Sequence, residues 1–484
     1  MSNFGEVDLL PISCNHGKIP DSLDGIYMGL HEMAMLAKNG AGTAKNFSAI
    51  RALGKTISTG GKSEGIMPWI ETYADSIGKI TQGSVRRGFL TAYLSVSHDE
   101  ILDFLDIGGK GHKIQNITTA VTIPKGWMKD LRDGKAENRT IWAKILKVRS
   151  QIGFPYILFE ENCNINSPQV YKDKNLWIDN ANICIEAIEY CDEFKEFACC
   201  LSSVNAVHYD EWKDHPHFLM DMNIMLDCVI TEYIIKGRNI SGLKKAIKFA
   251  SEHRSIGIGI LGFHDYLQEN DIAFGSLGSY QANHKIFSQL REVGDQASKY
   301  MAQIWGEPEF MKGTGLRNSS RMAQAPTKSS SFIMKARSSG VEPIKSNFHE
   351  KTLAKIQVEY KNPQLIKLLT QLNKNTSAVW KDILVNNGSV QHLDFLTDHQ
   401  REVFKTFSEI SQIDVIKLAG QRQKFIDMGQ SINIMIHPDT PVKDVNMLHL
   451  TAFDEGLKSL YYQYSINAAQ AFNQDLMTCS TCEG

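Results

Sequence analysis

Apolar positions recur at helical spacing through SLDGIYMGLHEMAMLAKNG (22–40), where Leu23, Ile26, Tyr27, Leu30, Met33 and Ala34 share one face. That spacing predicts a helix, with Gly40 supplying the left-handed stop. SHDEILDFLDI (97–107) opens with Ser97 and Glu100 at capping-box spacing, ahead of Ile101, Phe104 and Leu105. FPYILF (154–159) and IGIGILGF (256–263) are short apolar runs that predict buried strands or strand–helix junctions. In HLTAFDEGLKSLYYQYS (449–465), Leu450, Phe453, Leu457, Leu460 and Tyr461 follow helical spacing before an aromatic, strand-like end. ANICIEA (181–187) alternates strictly: an extended chain would put Asn182, Cys184 and Glu186 on one face and Ile183 and Ile185 on the other. Helical and strand signals intermix without an internal repeat, which predicts an α/β fold. MKARSSGVEPIKSN (334–347) is the most loop-like interior stretch, and NQDLMTCSTCEG (473–484) is polar, aperiodic and predicted to be a mobile tail.

The 484 residues suffice for a large core. With 52 Lys and Arg against 54 Asp and Glu, the net charge of −2 argues against a nucleic-acid partner. No apolar run approaches the ~18–20 residues of a membrane span, and MSNFGEVDLLP lacks the features of a secretory signal, so the cytoplasm is the expected compartment. Nine cysteines, an odd and sparse set, argue against a disulfide-stapled secreted fold.

Several positions carry candidate chemistry. A carboxylate two residues from a thiol, as at Glu186 and Cys184, raises the thiol pKa and disfavours a thiolate nucleophile. A neutral thiol with a base and an amide nearby suits hydrogen-atom chemistry instead. Cys479 and Cys482 form a CxxC on the tail; without a second such pair or an HExxH, a zinc site has little support. A mobile dithiol is suited to exchange with an internal disulfide, for which Cys14 and Cys199 are candidates that spacing alone does not pair. Adjacent Tyr461 and Tyr462 are ordinarily packing residues, although phenols also carry oxidised radicals. APTKSSSF (325–332) gathers hydroxyls and Lys328 in a way that suits a phosphate, whereas STGGKSEG (58–65) fails the phosphate-loop spacing. His208, His215 and His217 show no metal spacing, and no metal site is expected.

Taken in order, PISC (11–14), IPDSLDGI (19–26), IRALG (50–54), QGSVRRG (82–88), ENCNINSP (161–168), NICIE (182–186), CCLSSVN (199–205), SIGIGILGF (255–263), GLRNSS (315–320), APTKSSS (325–331), GVEP (340–343), QKFID (423–427), LYYQ (460–463) and the tail dithiol resemble the large, catalytic alpha subunit of class I ribonucleotide reductase. The joint order of these segments carries the resemblance. It implies a ten-stranded α/β barrel of two half-barrels over residues 1–470, with a central finger loop, and a redox tail over 471–484. Cys184 then matches the finger cysteine that becomes a thiyl radical and takes the ribose 3′ hydrogen. Glu186 matches the base for the 3′-hydroxyl and Asn182 the ribose-binding amide. Cys14 and Cys199 match the reducing pair, Cys199 being preferred to Cys200 because it precedes LSS by two residues. Cys479 and Cys482 would re-reduce that pair, and thioredoxin or glutaredoxin would reduce them in turn. Tyr461 and Tyr462 match the stacked pair that brings the radical in from a separate metal-containing small subunit; no cofactor binds directly. Pro326, Thr327, Lys328, Ser329 and Ser330 match the substrate diphosphate loop, with Ser13, Gly42, Ile183 and Ile185 as further contacts for a ribonucleoside diphosphate. Asp21 and Arg51 fall where a nucleoside triphosphate effector binds, and QGSVRRG is the relay loop. A homo-oligomer of the assembled large subunit is implied as well.

The pattern also departs from the family. The helical and ATP-cone region that ordinarily precedes the first cysteine is missing, so a companion chain is expected to supply it, as from a split gene of a kind suited to a virus. Lys328 stands where a carboxylate is common, and Ser58 lies near an expected arginine. Rival readings are a cobalamin-dependent reductase and an inactive fragment that binds nucleotide or partner.

Overall fold

The computed structural model describes residue 5 and residues 10–82, 86–353 and 356–465. The predicted first helix forms over Leu23–Lys38: the Ser22 hydroxyl accepts from the Gly25 N–H at its start, and Gly40 follows with φ +85°. The helix packs on the second of five parallel strands, β1 (Cys14–Lys18), β2 (Gly42–Asn46), β3 (Leu90–Ser95), β4 (Thr118–Ile123) and β5 (Tyr156–Phe159), which neighbour one another in that order. These strands are largely buried on both faces, as expected of a parallel sheet covered on both sides; β3 and β5 are mainly apolar, whereas β1 and β2 bury Asn15, His16, Thr43 and Lys45. Ala44, Tyr93, Ala120, Tyr156 and Leu158 point to an inner core, whereas Ala92, Val121, Ile157 and Phe159 face the outer helices.

A second half closes the sheet into a barrel. The segment β6 (Phe197–Cys199) runs antiparallel to β1 and continues into β7 (Leu201–Asn205), which lies parallel to β8 (Gly257–Leu261). Parallel bridges then connect Ile258 to Met322 and Gln324 to Gln430. The chain through 430–436 contributes β9 (Ile434–Ile436), and β10 (Ser459–Leu460) and β11 (Gln463–Ser465) complete the circuit. β11 lies parallel to β9, while β10 is antiparallel to β5. Five parallel segments on each side, joined by two antiparallel seams, make the expected ten-stranded arrangement. The runs at 154–159 and 256–263 supply β5 and β8, as their patterns predict.

Two local expectations are corrected. Ser97 and Glu100 form no capping box: the following helix is only Ile101–Phe104, with no side-chain cap bond. The Glu100 carboxylate instead accepts the Leu53 and Ile66 N–H groups at 3.0 Å each, a tertiary use that captures the would-be capping side chain. The helix at the C-terminal end is Val442–Asp454, so Leu457 and Leu460 lie beyond it. Gly456, with φ +76°, turns the chain so that Leu460 enters β10. Residues 334–347 hold no helix or strand, as predicted. Between them and β9, Phe348, Leu365, Trp380, Ile383, Leu396 and Phe404 belong to a smaller core of their own.

Candidate active site

Residues 180–188 enter the barrel as a tight turn. The expected alternating strand does not form here. The Ile185 N–H donates to the Asn182 carbonyl at 3.2 Å, and the Asn182 N–H to the Ala187 carbonyl at 3.2 Å. Ile185 sits at φ +61°, a conformation that a β-branched residue reaches only under strain of order 1–3 kcal/mol. Contacts from both halves hold it there. The Tyr93 hydroxyl donates to the Asn182 carbonyl at 2.7 Å, the Ser459 hydroxyl to the Ile185 carbonyl at 3.0 Å and the Ser431 hydroxyl to the Cys184 carbonyl at 2.6 Å. The Gly429 N–H donates to the Glu186 carbonyl at 2.7 Å.

The turn still brings the three predicted groups together, by folding rather than alternation. The Asn182 amide donates to Glu186 Oε1 at 3.0 Å, and the Ser431 hydroxyl reaches Glu186 Oε2 at 2.9 Å. Asn182 is fully buried, Glu186 is 2 % exposed and Cys184 7 % exposed. Burial, augmented by the Glu186 carboxylate, holds the Tyr93 phenol well above its ordinary range. Ile183 and Ile185 are buried in the same inner core.

On one seam, Cys14 is the register partner of Cys199 across the antiparallel β1–β6 pair, and of Gly42 across the parallel pair. Directly opposite residues of an antiparallel pair lie about 4.5–5.5 Å apart at Cα, a separation that a disulfide spans. Cys200 is turned away: its thiol donates to the Leu226 carbonyl at 3.5 Å, and burial pushes it up to about 12. The strand register thus sets position 199, not 200, opposite Cys14. Cys14 packs against the core that encloses Cys184. The Gly42 N–H donates to the Ser13 carbonyl at 2.8 Å, which sets these two predicted contacts beside Cys14.

On the other seam, the Tyr461 and Tyr462 rings lie 4.5 Å apart, tilted at 59° instead of stacked. Tyr156, which the spacing did not single out, lies 4.6 Å from Tyr461 and 5.0 Å from Tyr462. Burial, with Tyr462 the next cause, holds the Tyr156 phenol well above its ordinary range, and Cys184 contributes to the same effect. Tyr461, Tyr156 and Cys184 thus share one core. Ser431 was missed too; its only sequence signal is a polar residue ahead of the alternating run INIMI.

The loop at 326–330 leaves the barrel next to the finger. Gln324 donates its N–H to the Gly429 carbonyl and accepts the Ser431 N–H, each at 3.0 Å, and Gly429 and Ser431 both hold Glu186. Pro326 and Thr327 lead into a short helix, Lys328–Ile333, that contains Ser329 and Ser330. Farther out, Asp21 and Arg51 form an ion pair of 2.8 Å at one edge of a cleft of about 600 Å³, which Lys55, Ser97 and His98 also line. Of QGSVRRG, Gln82 pairs with Arg86 in a two-residue hairpin; residues 83–85 lie outside the described residues, as do Cys479 and Cys482. Among the described residues no helix is long and apolar enough to cross a membrane.

At the base of the finger, Glu189 is fully buried, accepts the Ser255 hydroxyl at 3.1 Å and is hydrogen-bonded by Tyr171. Burial pushes its carboxyl from 4.5 up to about 7. The folded protein therefore binds this proton more tightly than the unfolded chain, by about 3 kcal/mol. That stability is complete below the unfolded value and is lost as pH rises through the folded one. Thermal melts from about pH 5 to 8 should show a decline that Glu189→Gln flattens.

Two parallel halves closed around the buried Cys184 define an α/β-barrel protein. Residues 12–138, 130–313 and 309–463 match the family described as ribonucleotide reductase, barrel domain. The chain is 32 % identical over 530 residues to the ribonucleoside-diphosphate reductase large subunit of Invertebrate iridescent virus 3, covering 94 % of this chain and 82 % of that one. The alpha subunit of Chlamydia muridarum is 28 % identical over 94 % of this chain, which spans 52 % of that relative. Among solved structures, the Actinobacillus ureae class Id ribonucleotide reductase alpha subunit superposes with a TM-score of 0.91 at 43 % identity, over 97 % of this chain and 86 % of that one. The chain belongs to the ribonucleotide reductase large-subunit family, and its reaction is ribonucleotide reduction. These relatives favour that assignment over the cobalamin-dependent alternative.

Proposed function

We propose that this chain reduces ribonucleoside diphosphates by thiyl-radical chemistry centred on Cys184, with the oxidising equivalent delivered by a separate small subunit. The observation that carries this reading is the buried turn on which Asn182 and Ser431 orient Glu186 beside Cys184, with the tyrosines in the same core and the Cys14–Cys199 register at its edge. In this scheme the Cys184 sulfur radical takes the hydrogen atom from C3′. Glu186 accepts the 3′-hydroxyl proton while Asn182 holds the ribose hydroxyls. The 2′-hydroxyl leaves as water with a proton from the Cys14–Cys199 pair; the pair's other hydrogen goes to C2′ as it yields two electrons and closes as a disulfide, and Glu186 gives its proton back to the 3′ oxygen. Cys184 then returns a hydrogen atom to C3′, and the radical retreats through Tyr461 and Tyr462. Residues 326–330 would hold the diphosphate, and the Asp21–Arg51 cleft would take a nucleoside triphosphate effector. Cys479 and Cys482, served by thioredoxin or glutaredoxin, would reopen the disulfide.

The test is reconstitution. The purified chain, the small subunit encoded with it and the expected companion chain are mixed with substrate and dithiol reductant, and deoxynucleoside diphosphate is measured. Product is expected, and prereduced Cys14→Ser protein should form almost none. Inactivity of the complete mixture, with nucleotide still bound, would favour the inactive-fragment reading.

A further inference from the structure

Tyr464 lies two residues beyond Tyr462 on one extended segment, so the two side chains leave the same face. Pairing of Gln463–Ser465 with Ile434–Ile436 fixes that orientation. Their rings are 6.0 Å apart and 16° from parallel, more nearly stacked than Tyr461 and Tyr462 are. Tyr462 is half-buried and Tyr464 buried, so Tyr462 is the more accessible to a partner. Tyr464 packs into the outer core, whereas Tyr461 and Cys184 belong to the inner one. The Lys345 ammonium stands 3.7 Å from the centre of the Tyr464 ring. Its loop is tied to the tyrosines: Glu342 accepts from the Asn433 amide, and Asn433 Oδ1 accepts the Tyr462 N–H at 3.0 Å.

We propose that Tyr464 is a blind side branch of the tyrosine cluster, and that Lys345 keeps the oxidising equivalent from entering it. The proposal rests on Tyr462 and Tyr461 being the carriers. The unwanted step is balanced within the protein: the Tyr462 phenoxyl takes a hydrogen atom, one electron and one proton, from the Tyr464 hydroxyl, which leaves Tyr462 a phenol and Tyr464 a phenoxyl. Two neighbouring phenols have similar intrinsic ease of oxidation, so the environment decides the direction. A cation over a ring is attracted to its electron density. Withdrawing an electron from that ring weakens the attraction, so Lys345 makes Tyr464 the harder of the two to oxidise.

The test uses the reconstituted reductase. Lys345→Met should lose turnover several-fold and accumulate a tyrosyl signal by electron paramagnetic resonance. Tyr464→Phe alone should turn over normally. The double variant should recover turnover and lose the new signal, and Lys345→Arg should behave as wild type. Undiminished turnover in Lys345→Met would overturn the proposal. So would a loss that Tyr464→Phe fails to rescue, because a lysine needed for folding or nucleotide binding is indifferent to the phenol at 464. Normal turnover in Tyr462→Phe would overturn the carrier reading, and this proposal with it.

Discussion

Cys184→Ser should abolish deoxynucleotide formation while leaving nucleotide binding intact. Cys184 is 7 % exposed, and the turn around it is held through the Asn182, Cys184, Ile185 and Glu186 carbonyls. Serine is close in size, so the turn should survive, and circular dichroism and melting should change little. On the proposed chemistry, what is lost is a hydrogen atom donor and acceptor whose bond to hydrogen is weak enough to be made and broken at ribose. A hydroxyl at the same place holds its hydrogen too firmly. The measurement is product formed by the reconstituted enzyme beside equilibrium binding of substrate. Residual turnover comparable to wild type would remove Cys184 from the chemistry.

Glu186→Gln should lower kcat by about 10²–10⁴, the range for loss of a positioned general base, with a much smaller change in KM. The amide keeps the shape and an acceptor oxygen but has no basicity. Its NH₂ would also face one of the two present donors, Asn182 or Ser431, at about 3 Å. Ser431→Ala gives a useful contrast: it removes one orienting bond and spares the carboxylate, so its loss should be far smaller. If the two variants fall equally, Glu186 acts as a structural acceptor and the base lies elsewhere.

How much of this was legible beforehand depended on the range of the interaction. The Leu23–Lys38 helix was readable because its period and its Gly40 stop are both local. β5 and β8 were readable because burial on both faces leaves unbroken apolar runs. The finger was not, because a positive φ at Ile185 has no signature in an alternating sequence and is imposed by hydroxyls from residues 93, 431 and 459. Glu100 misled for the same reason: its capping geometry is local, but Leu53 and Ile66 compete for the carboxylate from another segment. Tyr156 was hidden inside FPYILF, where one phenol among apolar neighbours reads as packing. The grouping of Cys184 with Cys14, Cys199 and the tyrosines came from the family resemblance, since no spacing within one segment brings distant segments to one core.

On the proposed chemistry, each place where the two halves of the barrel meet would also serve as a port for electrons. Cys199 closes the β6 side of one junction, at the step where the chain passes to β7. Tyr461 and Tyr462 occupy the step from β10 to β11 at the other. On that chemistry the oxidant would enter and the reductant would act at opposite edges of the five-stranded half, β5 and β1, with the Cys184 turn between them.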